Sequence, residues 1–180
     1  MTTNRLGVLV ACVTLACPVF AGSQGGEGLP PSIRTVLDQR YPGWRVADIS
    51  LDVRTTVKQR LGPEPNVISG DFDGNGWPDH ALLIEYRNTD PRESSTYFNE
   101  VVAFLNEEGR FRLTKLRDRQ PGPNPGVYLT LQKKGAEGLD FEAKKKFTYA
   151  TDSIGEWFLG KGGGSYIFRD GRFRFVIEAD

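Results

Sequence analysis

Ten residues constrain this chain more than any others: Gly70-Asp71-Phe72-Asp73-Gly74-Asn75-Gly76-Trp77-Pro78-Asp79. Oxygen-bearing side chains recur at alternate positions, and glycines stand where the backbone must bend sharply. Short apolar segments lie on either side, Val67 to Gly70 before and His80 to Tyr86 after, and both read as strands. A strand–loop–strand unit of this kind folds around a hard cation, and the donor set fits calcium. Asp71, Asp73, Asn75 and Asp79 occupy the first, third, fifth and ninth positions of such a loop. Trp77 is seventh, where a main-chain carbonyl is presented, and Gly76 is sixth, at the tight bend. Three carboxylates this close repel one another, so the motif itself calls for a counter-charge.

The loop is not an EF-hand, because its twelfth position is Leu82 rather than a bidentate Glu and strands flank it. It resembles the FG-GAP/VCBS type of calcium loop, in which Asp-x-Asp/Asn-x-Asp/Asn-Gly-x-x-Asp joins two strands. That resemblance implies Ca²⁺ ligation by Asp71, Asp73, Asn75 and Asp79 with the Trp77 carbonyl. It covers about twenty residues and occurs once, whereas the family's repeats come in sevens and close a propeller. A full propeller is therefore not expected. The alternative is an Asx/Gly-rich hairpin turn without a metal.

The 180-residue chain is long enough for one domain with a real core. Eleven phenylalanines, six tyrosines and three tryptophans suit a β-rich interior, and 21 glycines with 11 prolines imply many turns. The fold expected is α+β: a mostly antiparallel sheet, an N-terminal helix, and a second short helical segment near Ile154. The helix starts at Ser32 as its cap, with Ile33, Val36, Leu37 and Tyr41 at helical spacing and Pro42-Gly43 as its stop. Ala47, Ile49, Leu51 and Val53 alternate with polar residues and read as a half-buried strand. Further strands are expected at Tyr97 to Leu105, Phe111 to Leu116 and Val127 to Leu131. Gly135 to Lys146 is poorly patterned, and Phe147 to Tyr149 is a possible strand. Ala81-Leu82-Leu83-Ile84 implies burial on both faces of its strand. The aromatic segments Phe104 to Phe111 and Ile167 to Phe173 echo one another as hairpins. Gly160 to Ser165 has neither the order nor the spacing of a phosphate-binding loop and reads as a flexible linker.

The first 21 residues read as a signal peptide, with Arg5 ahead of an apolar Leu6–Phe20 stretch and Val19-Phe20-Ala21 as the cleavage signal. Residues 22–29 form a Gly-rich linker, and 30–180 form the single domain. Cleavage after Ala21 removes both cysteines, Cys12 and Cys17, so the mature chain has no disulfide or thiolate site. Lipid anchoring at Cys12 is the alternative to ordinary secretion. No membrane span is expected.

Formal net charge is zero, which gives no global pull toward nucleic acid. Charge is nonetheless segregated. Ten acidic residues face two arginines between Pro63 and Glu108, and ten basic residues face four acids between Arg110 and Lys146. Ordinary surface ion pairs account for this; a basic face for an anionic partner is the other reading. The leading expectation is a monomeric, secreted or periplasmic, non-enzymatic calcium-binding domain with a structural or binding role toward an envelope or extracellular partner. One alternative is a metal-assisted hydrolase using Asp71, Asp73 and Asp79 with His80, the only histidine. Another is a protein inhibitor or interaction module acting through the aromatic hairpins or the Lys144–Lys146 segment. An Asp152/Ser153/Glu156 triad lacks a nucleophile elbow and a histidine beside it. Trp44, Trp157 and Tyr166 are expected in the core rather than lining a carbohydrate or peptide groove.

Overall fold

The computed structural model describes residues 26, 28–57, 66–124 and 126–179. The expected signal peptide, most of the expected 22–29 linker and the expected loop at 62–65 lie outside the described residues. Helix α1 spans Pro31–Arg40. Ser32 is not its cap: the cap lies two residues earlier, at Pro30, which makes no side-chain bond, and Pro31 is the first helical position. Proline there is preorganised for a helix, and its missing N–H has no partner to lose. Ile33 and Leu37 are fully buried, Tyr41 nearly so, and Val36 packs beside them. Packing begins before Pro30, because Leu29 joins the same cluster and Arg34 donates to the Gly26 carbonyl at 2.5 Å.

The first sheet is built on two long antiparallel strands, β3 (Asp79–Arg87) and β4 (Tyr97–Glu107). Strands β1 (Arg45–Val46) and β2 (Val67–Gly70) share the outer edge of β3. Strands β5 (Arg110–Lys115) and β6 (Gln120–Pro121) share that of β4. Alternation then sorts the side chains. Leu82, Ile84, Tyr86, Phe98, Val102 and Phe104 face α1. Ala81, Leu83, Val101, Ala103 and Leu105 face a second sheet. Burial on both faces, expected from the apolar run, is what the molecule shows.

The second sheet is antiparallel, in the order β12 (Arg172–Ala179), β11 (Gly162–Arg169), β10 (Ser153–Phe158), β7 (Val127–Gln132). A small hairpin, β8 (Glu137–Asp140) with β9 (Lys145–Thr148), lies against β12 through a Phe141 N–H to Ile177 O bond of 2.9 Å. The result is α+β and mostly antiparallel, with no closed barrel.

Three expectations are corrected. Residues 44–53 do not form a strand beyond Arg45–Val46; α2 occupies Leu51–Val57. Ser50 begins it, its carbonyl accepting from Arg54 N at 3.0 Å and its hydroxyl from Val53 N at 3.4 Å. Side-chain bonds of this kind compete with strand pairing. Val53 and Val57, one turn apart, pack on Ile49 and Tyr128, while Leu51 is 77% exposed. The second short helix is therefore here and not near Ile154, where all of β10 pairs with β7 on one side and Ile154 to Phe158 pair with β11 on the other. Finally, Gly160 to Ser165 is not a linker. From Gly162 it is β11, and a Cβ on Gly164 would lie 2.1 Å from the Val176 carbonyl oxygen. The glycine serves close backbone approach rather than mobility.

The two aromatic hairpins share a turn. Glu108 and Gly109 both have positive φ, as do Asp170 and Gly171, which is the pairing of a type I′ turn. The segregated charges meet because β4 and β5 are neighbours, Lys115 pairing with Glu100 at 3.0 Å and Arg112 with Glu107 at 2.8 Å, and because the loops at their ends approach, where Arg119 pairs with Glu93 at 2.5 Å. No helix among the described residues is long and apolar enough to cross a membrane.

Candidate metal centre

The base of the 71–79 loop is closed by the β2–β3 pair Gly70↔Asp79. Phe72 is fully buried in the core between the two sheets and pins the loop from inside. Its carbonyl accepts from Thr151 Oγ1 at 2.9 Å, and the Asp71 amide donates to Asp152 Oδ2 at 3.4 Å. Both partners come from the segment leading into β10. Gly74 and Gly76 take φ of +80° and +87°, conformations in which an L side chain is strained.

Asp71, Asp73 and Asp79 each direct a carboxylate oxygen to one place, with these atoms within 4.8 Å of one another. Asp79 is fully buried and holds two amides, Phe72 N at 2.8 Å and Asn106 N at 2.7 Å. Burial pushes its pKa up to about 6; the two amides oppose this, and the Asp73 charge adds to it. Asp71 Oδ2 accepts from Gly76 N at 3.1 Å, whereas Asp71 Oδ1 is buried with no hydrogen-bond donor. Two ionised carboxylates at such a distance repel by about 3–4 kcal/mol at an effective dielectric near 20.

Asn75 stands beside the cluster. Its Nδ2 donates to Asp73 Oδ2 at 3.1 Å and to the Asn106 carbonyl at 2.9 Å, and its Oδ1 accepts from Trp77 N at 2.7 Å. Trp77 turns its ring outward, 48% exposed. The acids thus converge, with the amide of Asn75 as their neighbour. His80 does not join them. It follows Asp79 on β3 and so points to the opposite face. There its Nδ1 is 2.8 Å from Ser69 Oγ, its ring lies 5.7 Å from that of Phe111, and burial lowers its pKa.

Asn106 is the residue that sequence reasoning passed over. Besides its amide bond to Asp79, its Nδ2 donates to the Pro78 carbonyl at 3.1 Å and its Oδ1 accepts from Gly109 N at 2.7 Å. One side chain braces both the loop and the β4–β5 turn. The only local signal is an Asn three residues before a turn glycine. Its link to Asp79 spans 27 residues and leaves no spacing pattern.

Fold and site together define an α+β protein of two packed antiparallel sheets with a carboxylate cluster on a strand-to-strand loop. Comparison with known proteins yields no match: no family model, curated protein or solved structure matches the chain.

Proposed function

We propose that this chain is a secreted, non-enzymatic calcium-binding domain whose ion fixes the 71–79 loop, with a structural or binding role at the cell envelope. The observation that carries the reading is the convergence of three carboxylates within 4.8 Å, one of them with a buried oxygen lacking any donor. Asp71, Asp73 and Asp79 would hold the ion with the Trp77 carbonyl, and Asn75 would join them once its side-chain amide turns its oxygen from Trp77 N toward the acids. The cation would supply the positive charge that these acids otherwise lack. Hard oxygen donors and no nitrogen or sulfur favour calcium over zinc or copper. The position of His80 on the other face speaks against a hydrolase that would use it with these acids. A mature chain without cysteine has no disulfide, so ligand-linked stabilisation would serve in its place.

Calorimetric titration of the chelator-stripped mature chain with calcium, and separately with magnesium, tests this. One calcium per chain is expected, with affinity weakened at least tenfold by Asp71→Asn. Absence of heat with calcium, or equal binding by the Asp71→Asn variant, would refute it.

A further inference from the structure

The inner face of the second sheet continues past the part that packs on the first. Register places Glu156, Phe158, Tyr166, Phe175 and Ile177 on the face that also carries the core residues Ile154 and Leu129. Toward β12 this face opens as a cleft of about 590 Å³. Phe158, Phe175 and Ile177 form one wall, and β6 with Arg117 forms the other. Gly162 and Gly163 also line it. Phe175 is 47% and Ile177 37% exposed, unusual for large apolar residues on an inward face.

The deep end is polar and mostly paired within itself, although Arg117 Nε and Glu156 Oε1 are buried without a hydrogen-bond partner. Arg117 Nη1 is 2.9 Å from Glu156 Oε1, Arg117 Nη2 donates to Asn99 Oδ1 at 2.5 Å, and the Tyr166 hydroxyl donates to Glu156 Oε2 at 2.5 Å. Asn99 in turn donates to the Gly122 carbonyl at 3.2 Å. A buried ion pair of this kind adds little net stability. Here it gives the cleft a fixed back wall, and the calcium reading makes no use of it. At the mouth stands Lys161, exposed and in no ion pair or side-chain hydrogen bond with a described residue. The volume is that of a small-ligand site, with apolar walls and few polar groups.

We propose that this cleft binds a small apolar carboxylate, its hydrocarbon body against Phe158, Phe175 and Ile177 and its head on Lys161. The apolar walls select the body. The unpaired cation at the rim selects the sign of the head, since an ammonium there would meet a like charge. The site lies on a different part of the fold from the 71–79 loop and does not depend on calcium.

The test uses the full mature chain, in calcium and again in chelator. The fluorescent probe 8-anilinonaphthalene-1-sulfonate, an apolar anion, is bound first and then displaced by decanoate, decanol or decylammonium. Decanoate is expected to displace it at a concentration at least tenfold below decylammonium, equally in both solutions. Lys161→Glu should weaken decanoate at least fivefold and leave decanol unchanged. Phe175→Ala should weaken all three. Both side chains are exposed, and a melting curve for each variant verifies the fold. No probe binding, equal displacement by the three head groups, or an unaffected Lys161→Glu variant would each overturn the proposal. So would capture by phosphatidylglycerol vesicles without binding of monomeric decanoate, which would make the patch a membrane contact.

Discussion

Replacing Asp79 by Asn separates the two roles of that side chain. The carboxylate accepts from two amides in the interior, and burial raises its pKa from 3.8 to about 6. Keeping it ionised at neutral pH then costs the metal-free protein on the order of 2–3 kcal/mol, at about 1.4 kcal/mol per tenfold change in its ionisation equilibrium. Asparagine removes that cost. It also turns one acceptor into an NH₂ facing an amide donor, which leaves a buried N–H unpaired at about 1–3 kcal/mol. The two effects oppose each other, so in chelator the variant should lie within about 1 kcal/mol of the parent. Under the calcium proposal, the ion would break the balance. At a hundred times its dissociation constant the parent gains about 2.7 kcal/mol from binding, and the variant, lacking one negative ligand, gains far less. The expected gap in calcium is therefore about 2–3 kcal/mol. Urea unfolding followed by tryptophan fluorescence, in chelator and in calcium, reads both numbers. An equal loss in the two solutions would show that Asp79 acts only through its amide bonds. A parent curve indifferent to calcium would remove the metal from the argument altogether.

Further outcomes follow from the same geometry. Without metal, the folded pKa of Asp79 lies above its ordinary value, so its contribution to stability is fully present below about pH 4 and lost as pH rises through about 6. The difference in melting temperature between parent and Asp79→Asn, measured in chelator, should move against the parent across that window and cease to do so in calcium. Asn106→Ala removes the side-chain partners of Pro78 O and Gly109 N. A loss of about 2–3 kcal/mol and a weaker calcium isotherm are expected, and a variant with parental values in both would deny Asn106 its bracing role. Gly164→Ala places a Cβ 2.1 Å from a backbone oxygen that cannot swing away. It should cost about 3 kcal/mol or more, seen as a large drop in melting temperature; a small drop would mean that β11 and β12 separate easily. N-terminal sequencing of the protein recovered from its native host should begin at Gly22, and a lipid-modified Cys12 would instead show anchoring.

How far the sequence could be read depended on whether the deciding contacts were local. The strands flanking the loop, the double burial of β3 and the spacing of Ile33, Leu37 and Tyr41 all follow from neighbours in the chain, and those expectations hold. Ser50 was equally local, yet the alternation of Ala47, Ile49 and Leu51 outweighed it, because a strand and the lead-in to a short capped helix look alike over seven residues. β10 was opaque for another reason. Ser153 to Phe158 has no alternating pattern, its inward face carrying a buried glutamate, and it becomes a strand because β7 and β11 lie on both sides. In the site, the acids were legible by spacing. The supports at Asn106, Thr151 and Asp152 come from segments the loop meets only after folding, and nothing near Gly70–Asp79 signals them.

Phe72 gives the loop a property that its acidic residues would not by themselves provide. A segment that carries its own core residue cannot swing open without drawing an aromatic ring out of the interior and leaving a void behind. If the loop holds a cation as proposed, losing it would unload the loop without releasing it, and the empty frame would stay shaped for the next ion. Exchange of metal at such a site would be governed by how fast an ion arrives and leaves, with no refolding step between, so under the calcium proposal the loop would behave as a socket rather than a switch.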